Sequence, residues 1–281
     1  MILITGATGV VGREATRLLL AAGHKVTAVT RDASAADLPE GATVAVGDPS
    51  RPQSLGDVWA AGVEAILLSP RAVGDAAVEL LAAATEHGAR RVVVLSASTV
   101  QFPAGEPRFA QGFKAVEDAA QSCGLAWTFL RCADFAANAL AWAPQIRAAN
   151  IVRGAYADAA TSPIHPRDIA EVAALTLTDP EHAGRSYLLT GPQSLNQREK
   201  AALIGEAVGA PVSFTEIAPE QARAAMLAQG LPAEIPDRLL GSLADYARRP
   251  GPTSDTVQTL LGRPALSFAA WAAENAAAFR N

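Results

Sequence analysis

The chain has 281 residues, a net charge of −5 and a hydrophobic fraction of 50%, which is enough for one large α/β domain or for a main domain with a smaller lobe. This composition excludes a disordered chain, and the acidic balance argues against a nucleic-acid partner, since phosphate-backbone binding depends on clustered lysines and arginines. No stretch reaches the ~18 consecutive apolar residues of a membrane span. The first predicted strand begins at the initiator methionine, so we expect no signal peptide, no membrane partner and a cytoplasmic protein.

Strand-like and helix-like segments alternate through the first half of the chain. Runs that predict strands are Ile2–Thr5, Lys25–Thr30, Thr43–Val46, Ala65–Ser69, Arg91–Leu95 and Trp127–Arg131. Runs that predict helices include Val10–Ala22, Val73–Glu86 and Phe109–Ser122. Alternation of this kind is typical of a doubly wound parallel sheet covered on both faces, which is the Rossmann type of α/β fold.

A glycine-rich turn joins the first predicted strand to the first predicted helix. Its glycines are spaced Gly-x-x-Gly-x-x-Gly within Thr5–Gly12. Glycines let the backbone approach a phosphate, and the following helix N-terminus offers free N–H groups and a positive dipole end. We interpret the turn as a dinucleotide site formed by Gly6, Thr8, Gly9, Val10, Val11 and Gly12. The alternative is a glycine turn that only allows helix and strand to pack closely.

Beyond Ala133 the pattern becomes more helical, with short strands near Tyr187–Thr190 and Val212–Ile217 and frequent prolines. We therefore expect a smaller, mostly helical C-terminal lobe. The predicted division assigns residues 1–133 and roughly 164–191 to a dinucleotide-binding domain. Residues 134–163 and 192–281 form the lobe on the substrate side.

Several short segments together resemble a known family. The glycine spacing differs from the Gly-x-Gly-x-x-Gly of ordinary dehydrogenases and resembles extended and atypical short-chain dehydrogenases/reductases. The further matching segments, in chain order, are Gly47-Asp48, Ser69-Pro70, Lys114 with Glu117, Thr128–Arg131, Phe135 with Asn138, Arg167–Ala170 and Leu188–Pro192. They resemble the NmrA-like, NAD(P)H:quinone-oxidoreductase-like branch. The resemblance implies two-electron reduction of a quinone-like acceptor by NADPH.

The end of the second strand indicates which nicotinamide cofactor is used. NAD-selective folds place an acidic side chain there, whereas this strand ends in Thr30 and is followed by Arg31, which can pair with a 2′-phosphate. We therefore expect NADP(H) to be preferred, with NAD(H) as the alternative because Asp32 comes next. An ordinary solvated loop cation is the other interpretation of Arg31.

Other strand ends supply further cofactor candidates, each with a structural alternative. Asp48 resembles the family position at the adenine edge, or else begins a helix after Pro49. Ser69 and Pro70 line the cofactor groove, or else form a strand-to-helix turn. Ser96 ends the fifth strand and is counted with the groove. Lys114 holds the nicotinamide ribose, or else is a helix-surface cation.

The Tyr-x-x-x-Lys pair that classical members of the superfamily use for proton transfer is absent. The residues four beyond Tyr156, Tyr187 and Tyr246 are Ala160, Gly191 and Pro250, and Ala110 stands four before Lys114. Reactions that need only a bound and oriented hydride donor do not require this pair. We therefore expect a small-molecule aromatic substrate that is planar and electron-poor, such as a quinone, an azo compound or a conjugated double bond.

The remaining candidates for catalysis and substrate binding are few. Ser98 could orient a substrate oxygen, and His165 could act as a general acid; otherwise His165 fills a loop, Arg167 pairs locally and Asp168 caps a helix over Ile169–Leu177. Phe135, Asn138 and Trp142 recur at helical spacing and give an aromatic wall with one amide, although core packing explains the rings equally well.

The two cysteines, Cys123 and Cys132, lack the spacing of a metal site or redox pair and are expected to be small buried hydrophobes, so no metal is predicted. Three functions are left open: a reductase of planar acceptors, a non-catalytic NAD(P)-binding sensor of the NmrA type, and a biosynthetic tailoring reductase or isomerase. The sequence leaves monomer and homodimer equally open.

Overall fold

The structure is a computed structural model that describes residues 1–34 and 37–280. Its contacts divide the chain into two compact units. The first unit comprises Met1–Val100, Gln111–Cys132 and Pro166–Leu188, and the second comprises Gln101–Ala110, Ala133–His165 and Leu189–Asn281.

The strands within the described residues are β1 Ile2–Ile4, β2 Val26–Thr30, β3 Thr43–Val46, β4 Ala65–Leu68, β5 Arg91–Ala97, β6 Ala126–Cys132, β7 Ile151–Gly154, β8 Arg185–Leu189 and β9 Ser213–Glu216. The main sheet has the order β3-β2-β1-β4-β5-β6-β8. The pairs from β3 through β6 are parallel, with Leu3 opposite both Thr27 and Ile66. The strand order therefore reverses direction beside β1, which is the switch point where doubly wound sheets bind ligands.

The helices are α1 Val10–Ala21, α2 Gly56–Trp59, α3 Pro70–Val73, α4 Ala77–Glu86, α5 Pro107–Ser122, α6 Ala143–Ala149, α7 Pro166–Thr178, α8 Gln197–Val208, α9 Pro219–Ala228, α10 Glu234–Arg248, α11 Thr256–Leu261 and α12 Phe268–Glu274. Short 3₁₀ turns include Pro52–Leu55, Gly74–Ala76, Ser98–Val100 and Ala136–Trp142. No helix in the two described stretches of chain combines the length and the apolar character needed to cross a bilayer.

Central strands of the first unit are apolar on both faces. In β4 and β5, Ile66, Leu67, Val92, Val93 and Val94 are fully buried, as parallel strands covered by helices on both sides require. Edge strand β3 instead exposes Val44 and Val46. The predicted Rossmann-type architecture is confirmed, because each strand predicted in the first half of the chain is present in this sheet.

Two predicted helix boundaries are wrong. The helix predicted over Val73–Glu86 is interrupted, because Gly74 takes a positive φ of 56° that an α-helix cannot contain. The helix predicted from Ile169, with Asp168 as its cap, begins at Pro166 instead. Proline is favoured at the first helical position because its missing N–H needs no partner there. Asp168 consequently lies in the first helical turn and is fully buried.

The second unit has its own small sheet and core. Strand β7, which the sequence analysis missed, pairs in parallel with β9, with Val152 opposite Phe214. Helix α8 begins with a capping box, in which Asn196 Oδ1 accepts from the Glu199 N–H and Glu199 Oε2 accepts from the Asn196 N–H. Two reciprocal bonds of this kind satisfy otherwise unpaired amide groups at the helix start.

A buried ion pair ties α5 to the central strands of the first unit. Glu117 accepts two hydrogen bonds from Arg131, from Nε at 3.0 Å and from Nη2 at 2.7 Å. Its Oε1 also accepts from the Ser96 hydroxyl at 2.6 Å. Because Ser96 lies on β5 and Arg131 on β6, this carboxylate connects the carboxyl ends of two neighbouring strands. Donating these hydrogen bonds to Glu117 also raises the pKa of Arg131.

We expect the substitution Glu117→Gln to lower the free energy of unfolding by about 3 kcal/mol, at the lower end of the cost of breaking a buried pair, because 19% of the Arg131 side chain stays exposed. Urea unfolding followed by circular dichroism measures the change. The control is Asp118→Asn, which breaks the exposed Lys114–Asp118 pair on the same helix and should cost less than about 1 kcal/mol. Equal losses in the two variants would contradict this account.

Candidate functional site

The glycine turn between β1 and α1 is closed by its own backbone. Gly6 has a φ of +67°, and its carbonyl accepts a hydrogen bond from the Gly9 N–H at 3.0 Å. Gly9 is the residue before α1 and provides no side-chain cap. The amide groups of the first helical turn, which have no partner within the helix, are therefore left for another group.

Added side-chain atoms would not fit at the outer two glycines. A Cβ at Gly12 would lie 2.3 Å from the Gly6 carbonyl oxygen and 2.9 Å from Ala7 Cα. A Cβ at Gly6 would lie 3.0 Å from Ser69 Cβ. At Gly9 the nearest atom is the Gly6 oxygen at 3.3 Å. The close-packing interpretation therefore holds for Gly6 and Gly12, whereas Gly9 has less packing reason to be glycine and more reason to keep the helix start open.

A cleft of about 460 Å³ opens beside this turn, within the volume range of small-molecule sites. It lies at the carboxyl ends of β1, β2, β3 and β4, next to the switch point of the sheet. The lining residues are Gly6, Thr8, Val29, Thr30, Arg31, Asp32, Asp48, Pro49, Ser50, Arg71, Ala72 and Gly74. The structure thus brings Gly6, Thr8, Arg31 and Asp48 of the predicted cofactor site together.

The loop after β2 places both Arg31 and Asp32 on the cleft, but only the Asp32 carboxylate is held by hydrogen bonds from its own loop. Asp32 Oδ1 accepts from both the N–H and the hydroxyl of Ser34, at 2.9 and 2.7 Å, and the Thr30 hydroxyl donates to the Asp32 carbonyl. Arg31 is exposed. One oxygen of the Asp32 carboxylate is therefore engaged by its own turn.

Asp48 is also held by a local turn. Its Oδ1 accepts from the N–H and the hydroxyl of Ser50, and its Oδ2 lies 3.1 Å from Arg51 Nη2. The hydrogen bonds from Ser50, followed by that from Arg51, lower the pKa of Asp48. The alternative that Asp48 begins a helix after Pro49 is wrong, because the next element is the 3₁₀ turn that starts at Pro52.

The segment after β4 contributes residues that sequence analysis missed. The Ser69 N–H donates to Thr5 Oγ1 at 2.8 Å, which joins the ends of β4 and β1. Pro70 then starts α3, and the same short helix brings Arg71 onto the cleft. A basic residue directly after a strand end beside the switch point was the signal available for Arg71.

Three predicted residues do not line the cleft. Ser96 donates to Glu117 and is buried. Lys114 pairs with Asp118 on the exposed side of α5, which agrees with the alternative of a helix-surface cation. Ser98 is buried in the 3₁₀ turn after β5. None of the three is among the described residues that line the cleft.

The second unit holds the other predicted site residues. Phe135 precedes the 3₁₀ turn that runs to Trp142, and Trp142 packs near Phe214 with ring centroids 6.0 Å apart. Core packing therefore explains Trp142. Asn138 is exposed and donates from Nδ2 to Asp134 at 2.8 Å. The spacing predicted to be helical is that of a 3₁₀ turn.

His165 and its neighbours also differ from the local arrangement that was predicted. The His165 side chain is buried, and its Nε2 lies 3.3 Å from Glu274 Oε2. In the first unit Arg167 lies 3.9 Å from Glu14 on α1, so its partner comes from a distant part of the sequence. Of the cysteines, Cys132 is buried and Cys123 is partly exposed, and both are free. Burial raises the pKa of the Cys132 thiol.

The chain is similar to NAD(P)H-binding proteins and to reductases. Residues 6–180 match the model of a family described as NAD(P)H-binding. A (4-alkanoyl-5-oxo-2,5-dihydrofuran-3-yl)methyl phosphate reductase of Streptomyces griseus subsp. griseus is 37% identical over 284 residues, covering 99% of each chain. An NAD(P)H azoreductase of Xenophilus azovorans is 35% identical over 286 residues, again covering 99% of each. A crystal structure of an NADPH-dependent quinone oxidoreductase of Escherichia coli has the same fold, with a TM-score of 0.83, 24% identity and coverage of 98% and 99%.

The chain belongs to this NAD(P)H-binding family. It is an NAD(P)H-dependent reductase, since the family is described as NAD(P)H-binding and both of these relatives are reductases. The glycine turn, the open helix start and the cleft at the switch point fit a dinucleotide, since they supply amide donors and arginines to its phosphates.

We expect Gly9→Val and Gly12→Ala to fail in different ways. The valine at position 9 places its branch at the mouth of the helix start and should weaken NADPH binding more than tenfold, with little change in stability. The methyl at position 12 meets the Gly6 carbonyl at 2.3 Å and should destabilise the first unit itself, by about 1–3 kcal/mol of overpacking. NADPH fluorescence titration and thermal unfolding separate the two effects. If Gly9→Val leaves the affinity for NADPH unchanged, the dinucleotide does not bind at this turn.

Proposed function

We propose that the protein transfers hydride from NAD(P)H, preferably NADPH, to planar and electron-poor acceptors. The observation that carries this proposal is the cleft beside the uncapped start of α1. Two arginines line this cleft, together with two carboxylates that are partly engaged by local turns. The bound nicotinamide supplies the hydride, and the protein supplies binding and orientation.

Different residues of the first unit bind different parts of the dinucleotide. The turn Gly6–Gly12 holds the pyrophosphate with the N–H groups at the start of α1. Arg31 and Arg71 line the same cleft and supply charge-assisted hydrogen bonds to the 2′-phosphate, which favours NADP(H) over NAD(H). Asp48 and Ser50 form the polar wall on the adenine side. Ser69 and Pro70 support the turn from behind.

The acceptor class rests on chemistry that the relatives' names have in common. An alkanoyl dihydrofuranone and an azo compound, like the quinones implied by family resemblance, carry a conjugated multiple bond that accepts hydride without prior proton removal. The lack of a Tyr-x-x-x-Lys pair in this chain agrees with such acceptors, because water can protonate the anion formed. A tailoring reductase in a biosynthetic pathway is the second candidate, favoured by the 37% identity to the dihydrofuranone phosphate reductase.

We assign cofactor binding to residues 1–133 with roughly 164–191, and acceptor binding to residues 134–163 with 192–281. In the second segment the exposed Asn138 is the best placed of the predicted substrate residues. Trp142 packs against the core of that unit, and Phe135 pairs with Ile164 in a short parallel bridge. Lys114, Ser98 and His165 have partners or burial that favour structural roles over catalytic ones.

The direct experiment mixes the purified protein with NADPH and follows nicotinamide absorbance with a panel of acceptors. The panel contains a naphthoquinone, a neutral azo dye and a 3-acyl-substituted unsaturated lactone, with a simple aliphatic ketone as the negative control. We expect oxidation of NADPH with at least one conjugated acceptor and none with the ketone. Tight NADPH binding without turnover of any member would favour the sensor function instead.

The preference for NADP(H) over NAD(H) should depend on Arg31, and a variant of Arg71 shows which phosphate that second arginine serves. We expect Arg31→Asp to shift preference from NADP towards NAD by about 1–3 kcal/mol, the scale of a charge-assisted hydrogen bond. Arg71→Gln should weaken NADPH more than NADH if it serves the 2′-phosphate, and both equally if it serves the pyrophosphate. Arg249→Gln, at an exposed arginine of the second unit, is the control. Dissociation constants for both cofactors measure the effect, and unchanged selectivity in Arg31→Asp would make that arginine a bystander.

A further inference from the structure

An arginine near the start of α1 joins the glycine turn to the loop after β2. Arg13 follows Gly12 directly, and its Nη1 donates to Asp37 Oδ2 at 2.7 Å. The other end of the same guanidinium, Nη2, donates to the Thr8 carbonyl oxygen at 3.3 Å. Because the donors of a guanidinium form a planar and rigid fork, the two bonds fix the position of Asp37 relative to the glycine turn.

The loop that contains Asp37 also contains Arg31. Arg31 directly follows β2, Asp37 comes later in the same connection to β3, and both residues are exposed. Between them, Asp32 Oδ1 accepts two hydrogen bonds from Ser34 and so forms a local turn. Arg31 therefore lies between two attachments of the loop, which are the end of β2 and the bond from Arg13 to Asp37.

The connection made by Arg13 reaches the wall of the cleft at two places. Thr8 and Arg31 are among the residues that line the cleft, whereas Arg13 and Asp37 are not among the described lining residues. An effect of Arg13 on cofactor binding is therefore expected to act through the residues that it holds, and not through contact with the cofactor.

We propose that Arg13 is a positioning residue for the selection of NADP(H). Its hydrogen bond to Asp37 holds the loop after β2 against the glycine turn, and this contact keeps Arg31 beside the cleft, where it meets the 2′-phosphate. The inference rests on the proposed function for the role of Arg31. It adds a pair of residues that determine cofactor preference without touching the phosphate.

The negative charge of Asp37 separates this proposal from simple electrostatics. If Asp37 acted on the cofactor only through its charge, removing that charge would strengthen the binding of NADPH, which is the more anionic cofactor. If Asp37 holds the loop, its removal weakens NADPH binding, because the loop must then be ordered when the 2′-phosphate binds. The two accounts predict changes of opposite sign. The strength of an exposed ion pair limits the loss to about twofold to fivefold in affinity.

The test measures dissociation constants for NADPH and NADH, which differ only in the 2′-phosphate, by nicotinamide fluorescence and without any acceptor. We expect Arg13→Gln and Asp37→Asn each to weaken NADPH binding about twofold to fivefold. The affinity for NADH should stay unchanged, and it reports on intact folding. The double variant should lose no more than Arg13→Gln alone, because both substitutions remove the same contact.

Two further variants show that the effect passes through the loop. Arg17→Gln is the matched control, because it removes the same charge from the same helix and breaks a 2.7 Å ion pair with Glu14 on α1 itself. We expect it to leave the ratio of NADPH to NADH affinity unchanged. In an Arg31→Gln background, Arg13→Gln should no longer alter that ratio, because the loop then lacks the arginine that it positions.

The proposal is overturned if Asp37→Asn binds NADPH as tightly as the natural protein, or more tightly. An equal loss in Arg17→Gln also overturns it, as does a loss from Arg13→Gln that persists in full in the Arg31→Gln background. Because these titrations contain no acceptor, they are independent of turnover. Failure of every acceptor in the NADPH assay refutes the proposed hydride transfer and leaves this selectivity intact, whereas turnover with unchanged NADPH affinity in Asp37→Asn refutes the loop contact alone.

Discussion

The close approach of α1 to the end of β1 is the constraint on which the first unit depends. The start of the helix passes so near the turn that a single methyl at Gly12 would overlap the Gly6 carbonyl oxygen. This approach directs the free amide groups of the first helical turn towards the carboxyl edge of the sheet. The same short distance therefore serves packing and leaves these amide groups available to an anion, so the two interpretations of the glycine turn are compatible.

Buried carboxylates organise the polar side chains in each unit. In the first, Glu117 engages both Ser96 and Arg131, so Ser96, which the sequence analysis counted with the cofactor groove, instead helps to join β5, β6 and α5. In the second, Asp134 engages Lys200 and Thr161 on one oxygen and Asn138 on the other. A side chain that satisfies a buried charge has a fixed direction, which decides which of its atoms can meet a ligand.

The predictable part of the fold is the part that local pattern determines. Buried β-branched runs such as Val92–Val94 identify central strands without any tertiary information. The errors occur where one residue changes the backbone, as Gly74 does inside a helical pattern and Pro166 does at a helix start. Strand β7 was missed because it spans only Ile151–Gly154 and is stabilised by pairing with β9, some sixty residues further along the chain.

The site was less predictable than the fold, because its side chains are brought together by contacts between distant segments. Arg31 and Asp48 follow strand ends and were recognised, whereas Arg71 belongs to a helix of one turn that periodicity cannot detect. Tyr246 lacks a lysine four residues later and so fails the superfamily pattern. Burial raises the pKa of its phenol, and the charges of Asp134 and Asp245 raise it further. Asp134 itself pairs with Lys200 of α8, so a carboxylate and a lysine from distant segments meet in this unit without any fixed spacing in the sequence. With its pKa raised, the Tyr246 phenol keeps its proton at neutral pH, so it is not suited to act as a base.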